Sequence, residues 1–139
     1  MRQMQIISIA DACLGGLHGR SALLIGPPDA LLPYKQLLLE AGMKAVFREE
    51  DYSRVSTLLP QVQLLMNIPA ASLPGSAPPV LTAATIAVGC VGRRAPLLIF
   101  DLASSTSVEE LAGLLPAVCL YTPSDLRHIL YANTNTQIA

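Results

Sequence analysis

The segment Ser21–Leu31 (SALLIGPPDAL) constrains the fold of this chain more than any other part of its sequence. Leu23, Leu24 and Ile25 form a short apolar run, which is typical of a strand buried on both faces. Gly26 follows directly, and the residues after it have the apolar spacing of an amphipathic helix. The sequence therefore predicts a strand that passes through a tight glycine turn into a helix.

Turns of this kind hold the pyrophosphate in dinucleotide-binding domains, through three glycines and free N–H groups at the start of the helix. In this chain Pro27 and Pro28 follow Gly26, and proline has no backbone N–H. Two interpretations of Gly26 stay open. It is either a tight turn that excludes a side chain, or a phosphate contact that requires the two prolines to move aside.

Five apolar segments alternate with helical patterns along the chain, at residues 22–25, 44–48, 62–68, 97–101 and 117–121. This order predicts an α/β fold with a single doubly wound, mostly parallel five-stranded sheet of Rossmann type and helices on both faces. The length of 139 residues fits one domain over 1–139, with an N-terminal helix within 1–18.

Smaller features complete this outline. Residues 69–79 contain four prolines and one glycine, which predicts an irregular loop or flap. The sequence from Ser107 to Glu110 is typical of a capping box that opens a helix, and Thr122–Asp125 is typical of another cap. The polar residues 133–139 are expected to form a frayed tail.

The composition excludes several classes of partner. Nine basic and ten acidic residues give a net charge of −1, so no positive field is available for direct binding of nucleic acid. The longest apolar stretch, residues 79–92, is too short to span a membrane, and no signal-peptide pattern is present. We therefore expect a cytoplasmic protein without membrane contact. Its 52% hydrophobic content favours a protein partner or self-association.

No residue pattern indicates catalysis or metal binding. Cys13, Cys90 and Cys119 lie far apart inside apolar patterns, without a Cys-x-x-Cys spacing, and are expected to be buried free thiols. His18 and His128 have no associated nucleophile pattern and are expected at the surface. We predict no catalytic residue and no metal ligand in this chain.

Several segments resemble the NADP-binding domain of the glutamyl-tRNA reductase family. Residues 95–103 (APLLIFDLA) match a strand that ends in Ile-Asp-Leu-Ala in that family, and residues 118–121 (VCLY) match a strand that contains tyrosine. Residues 124–130 (SDLRHIL) match the Asp-Asp-Leu helix after it, and residues 9–26 match a helix, a basic turn and the first strand. The resemblance covers nearly the whole chain in order and implies NADP as the cofactor.

The same resemblance assigns candidate cofactor-binding residues. The three glycines of the family align with Gly26, Pro28 and Leu31, so the glycine motif is degenerate. Arg48 stands where an arginine of the family would meet the 2′-phosphate of NADP, although Phe47 replaces the preceding asparagine. For Arg48, a surface ion pair with one of the two neighbouring glutamates, residues 49 and 50, remains the alternative.

Two further candidates lie at strand ends. Asn67 opens the loop that approaches the nicotinamide in the family, where this chain lacks the family's threonine and glycine. Asp101 ends an apolar strand at the edge where parallel sheets bind ligands, and it is equally explained as the cap of a loop.

Three functions are compatible with these observations. We expect a stand-alone, non-catalytic binding or regulatory relative of the reductase domain, linked to tetrapyrrole biosynthesis, because the family's catalytic and dimerisation domains have no counterpart here. The first alternative is an NADP-binding subunit that completes a two-chain oxidoreductase, supported by Gly26 and Arg48. The second is a receiver-like signalling domain, which would require an acidic cluster at the strand ends.

Overall fold

The computed structural model describes residues 2–69 and 80–138, the side chains of the last six of these excepted. Its elements are α1 (Arg2–Leu14), β1 (Ser21–Ile25), α2 (Pro28–Glu40), β2 (Ala45–Glu49), α3 (Val55–Leu58), β3 (Leu64–Asn67), α4 (Ala83–Gly89), β4 (Leu97–Asp101), β5 (Val118–Tyr121) and α5 (Pro123–Ile138). Short 3₁₀ turns at Leu59–Gln61 and Glu110–Leu114 precede β3 and β5.

The five strands form one parallel sheet in the order β2-β1-β3-β4-β5. The predicted α/β fold with a doubly wound sheet of Rossmann type is therefore confirmed. The three inner strands are buried because helices cover both faces of the sheet, whereas the edge strands β2 and β5 are partly exposed. β1, β3 and β4 are buried at every position.

Alternate residues of the strands belong to two separate cores. On one face Leu24, Met66 and Phe100 pack against α1, α2 and α5. On the other face Leu23 and Ile99 pack against α3, α4 and the second 3₁₀ turn. This two-residue alternation is the physical reason that the apolar runs in the sequence form strands and not helices.

One local prediction, the capping box at Ser107, differs from the structure. Ser107 does not cap a helix, because its side chain is buried against Asp101 and the following turn begins at Glu110. The prediction of a capping box there is wrong. The helix α5 extends to Ile138, and the fraying expected for residues 133–139 stays a prediction.

Two other local predictions concern the start of α5 and the loop at residues 69–79. The cap at the start of α5 is confirmed, since Asp125 N–H donates to Thr122 Oγ1 and Thr122 N–H donates to Asp125 Oδ2. The loop predicted at residues 69–79 lies, from residue 70 onward, outside the described residues.

Candidate functional site at the switch point of the sheet

The strand order reverses its direction between β1 and β3. The chain leaves β1 for α2 on one face of the sheet, whereas the described elements on either side of β3, α3 and α4, pack on the other face. In open parallel sheets such a switch point leaves a crevice at the carboxyl ends of the two strands, and ligands bind there. In this chain Gly26 and Asn67 mark the two sides of the crevice.

Gly26 is held tightly at this point. Its N–H donates to Glu49 O at 2.9 Å, and the next residue after β3, Ile68, donates its N–H to Ile25 O at 2.7 Å. A Cβ on Gly26 would lie 2.0 Å from the carbonyl oxygen of Ile68, and its φ of +153° also disfavours a side chain. The close approach of two strand ends therefore gives a physical reason for this glycine that involves no ligand.

The turn after Gly26 offers few donors to a phosphate. Pro27 and Pro28 have no N–H, and the N–H groups of Ala30 and Leu31 both donate to Pro27 O, at 3.0 and 3.2 Å. Asp29 contributes at most one free N–H, and it brings its own carboxylate into the first turn of α2. A pyrophosphate needs several converging N–H donors, so residues 26–31 do not fit this group.

Two adjoining cavities open at the switch point. The larger, the switch-point cavity, has a volume of about 370 Å³, and the smaller measures about 230 Å³. Both contact Gly26, Pro28 and Glu50. The other described residues around the larger one are Ile25, Pro27, Asp51, Tyr52, Asn67 and Pro69, and those around the smaller one are Leu31, Arg48 and Glu49.

The rim formed by the end of β2 and the loop after it is acidic. Glu49, Glu50 and Asp51 stand in sequence, and hydrogen bonds from Ser53 lower the pKa of Asp51 below its ordinary value. An exposed ion pair joins Glu49 to Arg54 at 3.3 Å. The net negative charge at this rim opposes the binding of phosphate groups.

Arg48 faces the smaller cavity without a carboxylate partner in the described part of the chain, because Glu49 pairs with Arg54 instead. The predicted ion pair between Arg48 and one of its neighbouring glutamates is therefore not formed. Arg48 is an exposed residue.

A chain of hydrogen bonds runs beneath the switch-point cavity. Asn67 Nδ2 donates to Tyr52 Oη at 2.9 Å and to Ser107 Oγ at 2.8 Å. Ser107 Oγ donates in turn to Asp101 Oδ1 at 2.7 Å. Asn67, Ser107 and Asp101 are buried, and burial raises the pKa of the Tyr52 hydroxyl above its ordinary value. The chain links the ends of β3 and β4 to the loop before α3.

Asp101 closes the loop that follows β4. Besides Ser107 Oγ, its carboxylate accepts from the N–H groups of Ser107 at 2.7 Å, Val108 at 2.8 Å and Ala103 at 3.2 Å. The side chain is 1% exposed and lies outside the described lining of both cavities. Its geometry is that of a loop clamp, the second of the two interpretations that the sequence left open.

The structure brings together four of the five candidate residues that the resemblance indicated. Gly26, Pro28, Arg48 and Asn67 all contact the cavities, and their roles in cofactor binding remain predictions. Sequence reasoning did not single out Tyr52 as a site residue. The available signal was its position directly after β2, at the ligand-binding edge of a parallel sheet.

Outside this site, Cys13 and Cys119 are exposed and Cys90 is partly buried, so the prediction of buried thiols is wrong for the first two. Cys13 Sγ lies 3.3 Å from Tyr121 Oη. This hydrogen bond, together with burial and the nearby Cys119, raises the pKa of Tyr121 to about 12, from an ordinary 10.0. Since the folded pKa exceeds the unfolded one, we expect Tyr121 to stabilise the fold below pH 10 and to lose this contribution as the pH rises through 12.

We expect the substitution Cys13→Ala to lower the pKa of Tyr121 toward 10, because it removes the main cause of the shift. Absorbance titration of tyrosinate, as a difference from Tyr121→Phe, measures that pKa. The matched control is Cys90→Ala, because Cys90 packs against the other core. This substitution should leave the pKa of Tyr121 unchanged. An unchanged pKa in Cys13→Ala would contradict the assigned cause.

Within residues 2–69 and 80–138, no three His, Cys, Asp or Glu side chains lie close enough together to hold a metal ion. None of the helices described is both long and apolar enough to cross a membrane.

Comparison with known proteins identifies relatives by sequence. Glutamyl-tRNA reductase from Methanospirillum hungatei is 27% identical over 88% of this chain, and the enzyme from Alkalilimnicola ehrlichii is 26% identical over 94%. The matches occupy 34% and 32% of those proteins, so the chain spans about a third of the length of these curated relatives. A scan against protein-family models finds no match.

Comparison of the fold with solved structures also finds a glutamyl-tRNA reductase. Glutamyl-tRNA reductase from Methanopyrus kandleri superimposes with a TM-score of 0.78 at 21% identity, over 98% of this chain and 38% of that structure. At this identity the superposition shows the fold alone. Together, sequence and fold confirm that this chain resembles the NADP-binding domain of glutamyl-tRNA reductase, with a glycine motif of which only Gly26 remains.

Proposed function

We propose that this chain is a non-catalytic binding or regulatory protein, related to the NADP-binding domain of glutamyl-tRNA reductase and linked through it to tetrapyrrole biosynthesis. The supporting observation is the altered turn at residues 26–31, which leaves at most one free N–H where a pyrophosphate needs several. The acidic rim at Glu49–Asp51 supports the same conclusion because it repels phosphates.

In this proposal the chain keeps the sheet and the switch point of the reductase domain, and the crevice at the switch point no longer binds a pyrophosphate. The close contact between Gly26 and Ile68 joins the ends of β1 and β3, which stabilises the crevice without a ligand. Its walls in the described part of the chain are mainly apolar, with three prolines. Such a crevice is suited to a small apolar ligand or to a segment of a partner protein.

Titration of the purified chain with NADPH, followed by calorimetry and by the fluorescence of the nicotinamide, tests this proposal. We expect no saturable binding up to about 1 mM, because the lost N–H donors and the acidic rim both act against the phosphates. A dehydrogenase of known NADPH affinity, titrated in the same buffer, serves as the positive control. Saturable binding in the micromolar range by the chain alone would overturn the proposal.

A second candidate is the NADP-binding subunit of a two-chain oxidoreductase. The observation that favours it is Arg48, which faces the smaller cavity without a carboxylate partner among the described residues. In that case NADPH should bind when a candidate partner chain is added. Arg48→Ala should then lower the affinity for NADPH more than the affinity for NADH, which lacks the 2′-phosphate. Equal weakening of both would count against this candidate.

A further inference from the structure

Two exposed thiols lie near the hydroxyl of Tyr121, outside the switch-point crevice. Cys13 belongs to the last turn of α1, and its Sγ atom is 3.3 Å from Tyr121 Oη. Cys119 stands two positions before Tyr121 on β5, so both side chains leave the strand on the same face. In the sheet register Cys119 lies beside Leu98 of β4, which belongs to the core that α1 covers. The fold therefore brings two cysteines from opposite ends of the sequence to one tyrosine.

The titration of these groups agrees with their proximity. Burial raises the pKa of the Cys119 thiol above its ordinary 9.0, the charge of Cys13 raises it further, and a hydrogen bond with Tyr121 acts in the opposite direction. The hydrogen bond with Cys13 is the main cause that raises the pKa of Tyr121 to about 12, and burial and the charges of both thiols add to it. Each thiol is therefore within electrostatic range of the other.

The end of α1 is held in place beside this cluster. Arg20, directly before β1, donates from its guanidinium to Leu14 O at 2.8 Å and to Gly16 O at 2.9 Å. These contacts keep the last turn of α1, and with it Cys13, next to Tyr121. Rotation about the χ1 bond of a cysteine moves its Sγ by about 3 Å, so the two exposed sulfurs can turn from the hydroxyl toward each other.

We propose that Cys13 and Cys119 form a redox-active dithiol, which a low-molecular-weight disulfide of the glutathione type oxidises to a disulfide between α1 and β5. One protein thiolate attacks the small disulfide, releases one glutathione thiolate and leaves a mixed disulfide. The second protein thiolate attacks the protein sulfur of that mixed disulfide and releases the second glutathione. The two protein thiols lose two protons and two electrons in total, and the small disulfide gains them.

This inference goes beyond the proposed function and does not depend on it, since the described lining of the switch-point cavity contains no cysteine. The disulfide joins the N-terminal helix, which packs on the sheet through Ile6, Ile7 and Ala10, to the edge strand at the far end of the chain. A cross-link over so long a segment restricts the unfolded chain. Oxidation is therefore expected to fix α1 on the sheet.

Mass spectrometry after incubation with a roughly tenfold excess of oxidised glutathione tests the reaction. The experiment uses the variant Cys90→Ser, in which Cys13 and Cys119 are the remaining thiols. We expect this protein to lose the mass of two hydrogen atoms, and peptide mapping to find the two cysteines joined. In the same background, Cys13→Ser and Cys119→Ser are matched controls. Each should stop at the mixed disulfide, with the added mass of one glutathionyl group, because the second thiol is missing.

The titration of Tyr121 reports the same event in the folded protein. A disulfide has no thiolate, so the main hydrogen bond and both charges that raise the pKa of Tyr121 are lost on oxidation. The pKa should fall from about 12 toward 10.0 and return when dithiothreitol reduces the bond. The midpoint of thermal unfolding should be higher in the oxidised protein than in the reduced protein.

Four results would each overturn this inference. They are an unchanged mass after incubation, a mixed disulfide that persists although both cysteines are present, a disulfide that joins two protein chains, and a Tyr121 pKa that stays near 12 after oxidation. Because NADPH takes no part in these measurements, their outcome leaves the proposed function unaffected.

Discussion

Replacing Gly26 by alanine should lower the free energy of unfolding by about 4 kcal/mol. The added Cβ would lie 2.0 Å from Ile68 O and 3.0 Å from the carbonyl carbon, and both atoms belong to the backbone. Relief of this contact requires the end of β3 to move away from β1, which disturbs the hydrogen bond from Ile68 N–H to Ile25 O. Strain at the positive φ adds to this cost. Urea unfolding followed by circular dichroism measures the change.

Alanine substitutions at two other glycines show how much of this cost comes from steric overlap of the added Cβ and how much from backbone strain at a positive φ. Gly92 has a φ of +71° with open space around it, so Gly92→Ala carries strain alone and should cost about 1 kcal/mol. A Cβ on Gly113 would meet Leu120 at an ordinary 3.6 Å, so Gly113→Ala should change stability by less than about 0.5 kcal/mol. If Gly26→Ala costs no more than Gly92→Ala, the two strand ends are not closely packed.

The main strands could be predicted from the sequence because burial on both faces leaves a local signal. The apolar run at 97–101 predicts β4 at the residues that the structure shows, and the run at 22–25 predicts β1 to within one residue. Parallel strands between helices permit few arrangements of the sheet, so the fold class follows from the alternation of elements. The strand order β2-β1-β3-β4-β5 came from the structure.

The site could be predicted only where local chemistry decides the outcome. Proline lacks an N–H in any environment, so the weakened phosphate turn is visible in the sequence. Ser107 was misassigned because the local capping pattern competes with a tertiary partner, the Asp101 carboxylate, that the pattern does not contain. The hydrogen bond between Tyr52 and Asn67 joins residues fifteen positions apart, and periodicity carries no information about such a contact.

Removal of the Asp101 carboxylate, which holds the loop after β4, is expected to have the second large effect on stability. We expect Asp101→Ala to lower the free energy of unfolding by about 4 kcal/mol, because it leaves the N–H groups of Ser107 and Val108 and the Ser107 hydroxyl without an acceptor in a buried position. Asp101→Asn retains the size of the side chain and one acceptor oxygen, so it should cost about half as much. Urea unfolding measures both.

Hydrogen exchange separates the clamp from a simple loss of packing. If Asp101 holds the loop through its N–H contacts, Asp101→Asn should raise the exchange rates of the Ser107 and Val108 amides above their values in the unsubstituted protein. The exchange rates of the β1 amides, which the substitution does not touch, should rise less. The control Asp11→Asn removes an equal charge from an exposed position on α1 and should change stability by less than about 0.5 kcal/mol. A cost for Asp101→Ala as small as that of the control would mean that the loop keeps its conformation without the carboxylate, and the hydrogen-bond chain from Asp101 to Tyr52 would then lose its anchor.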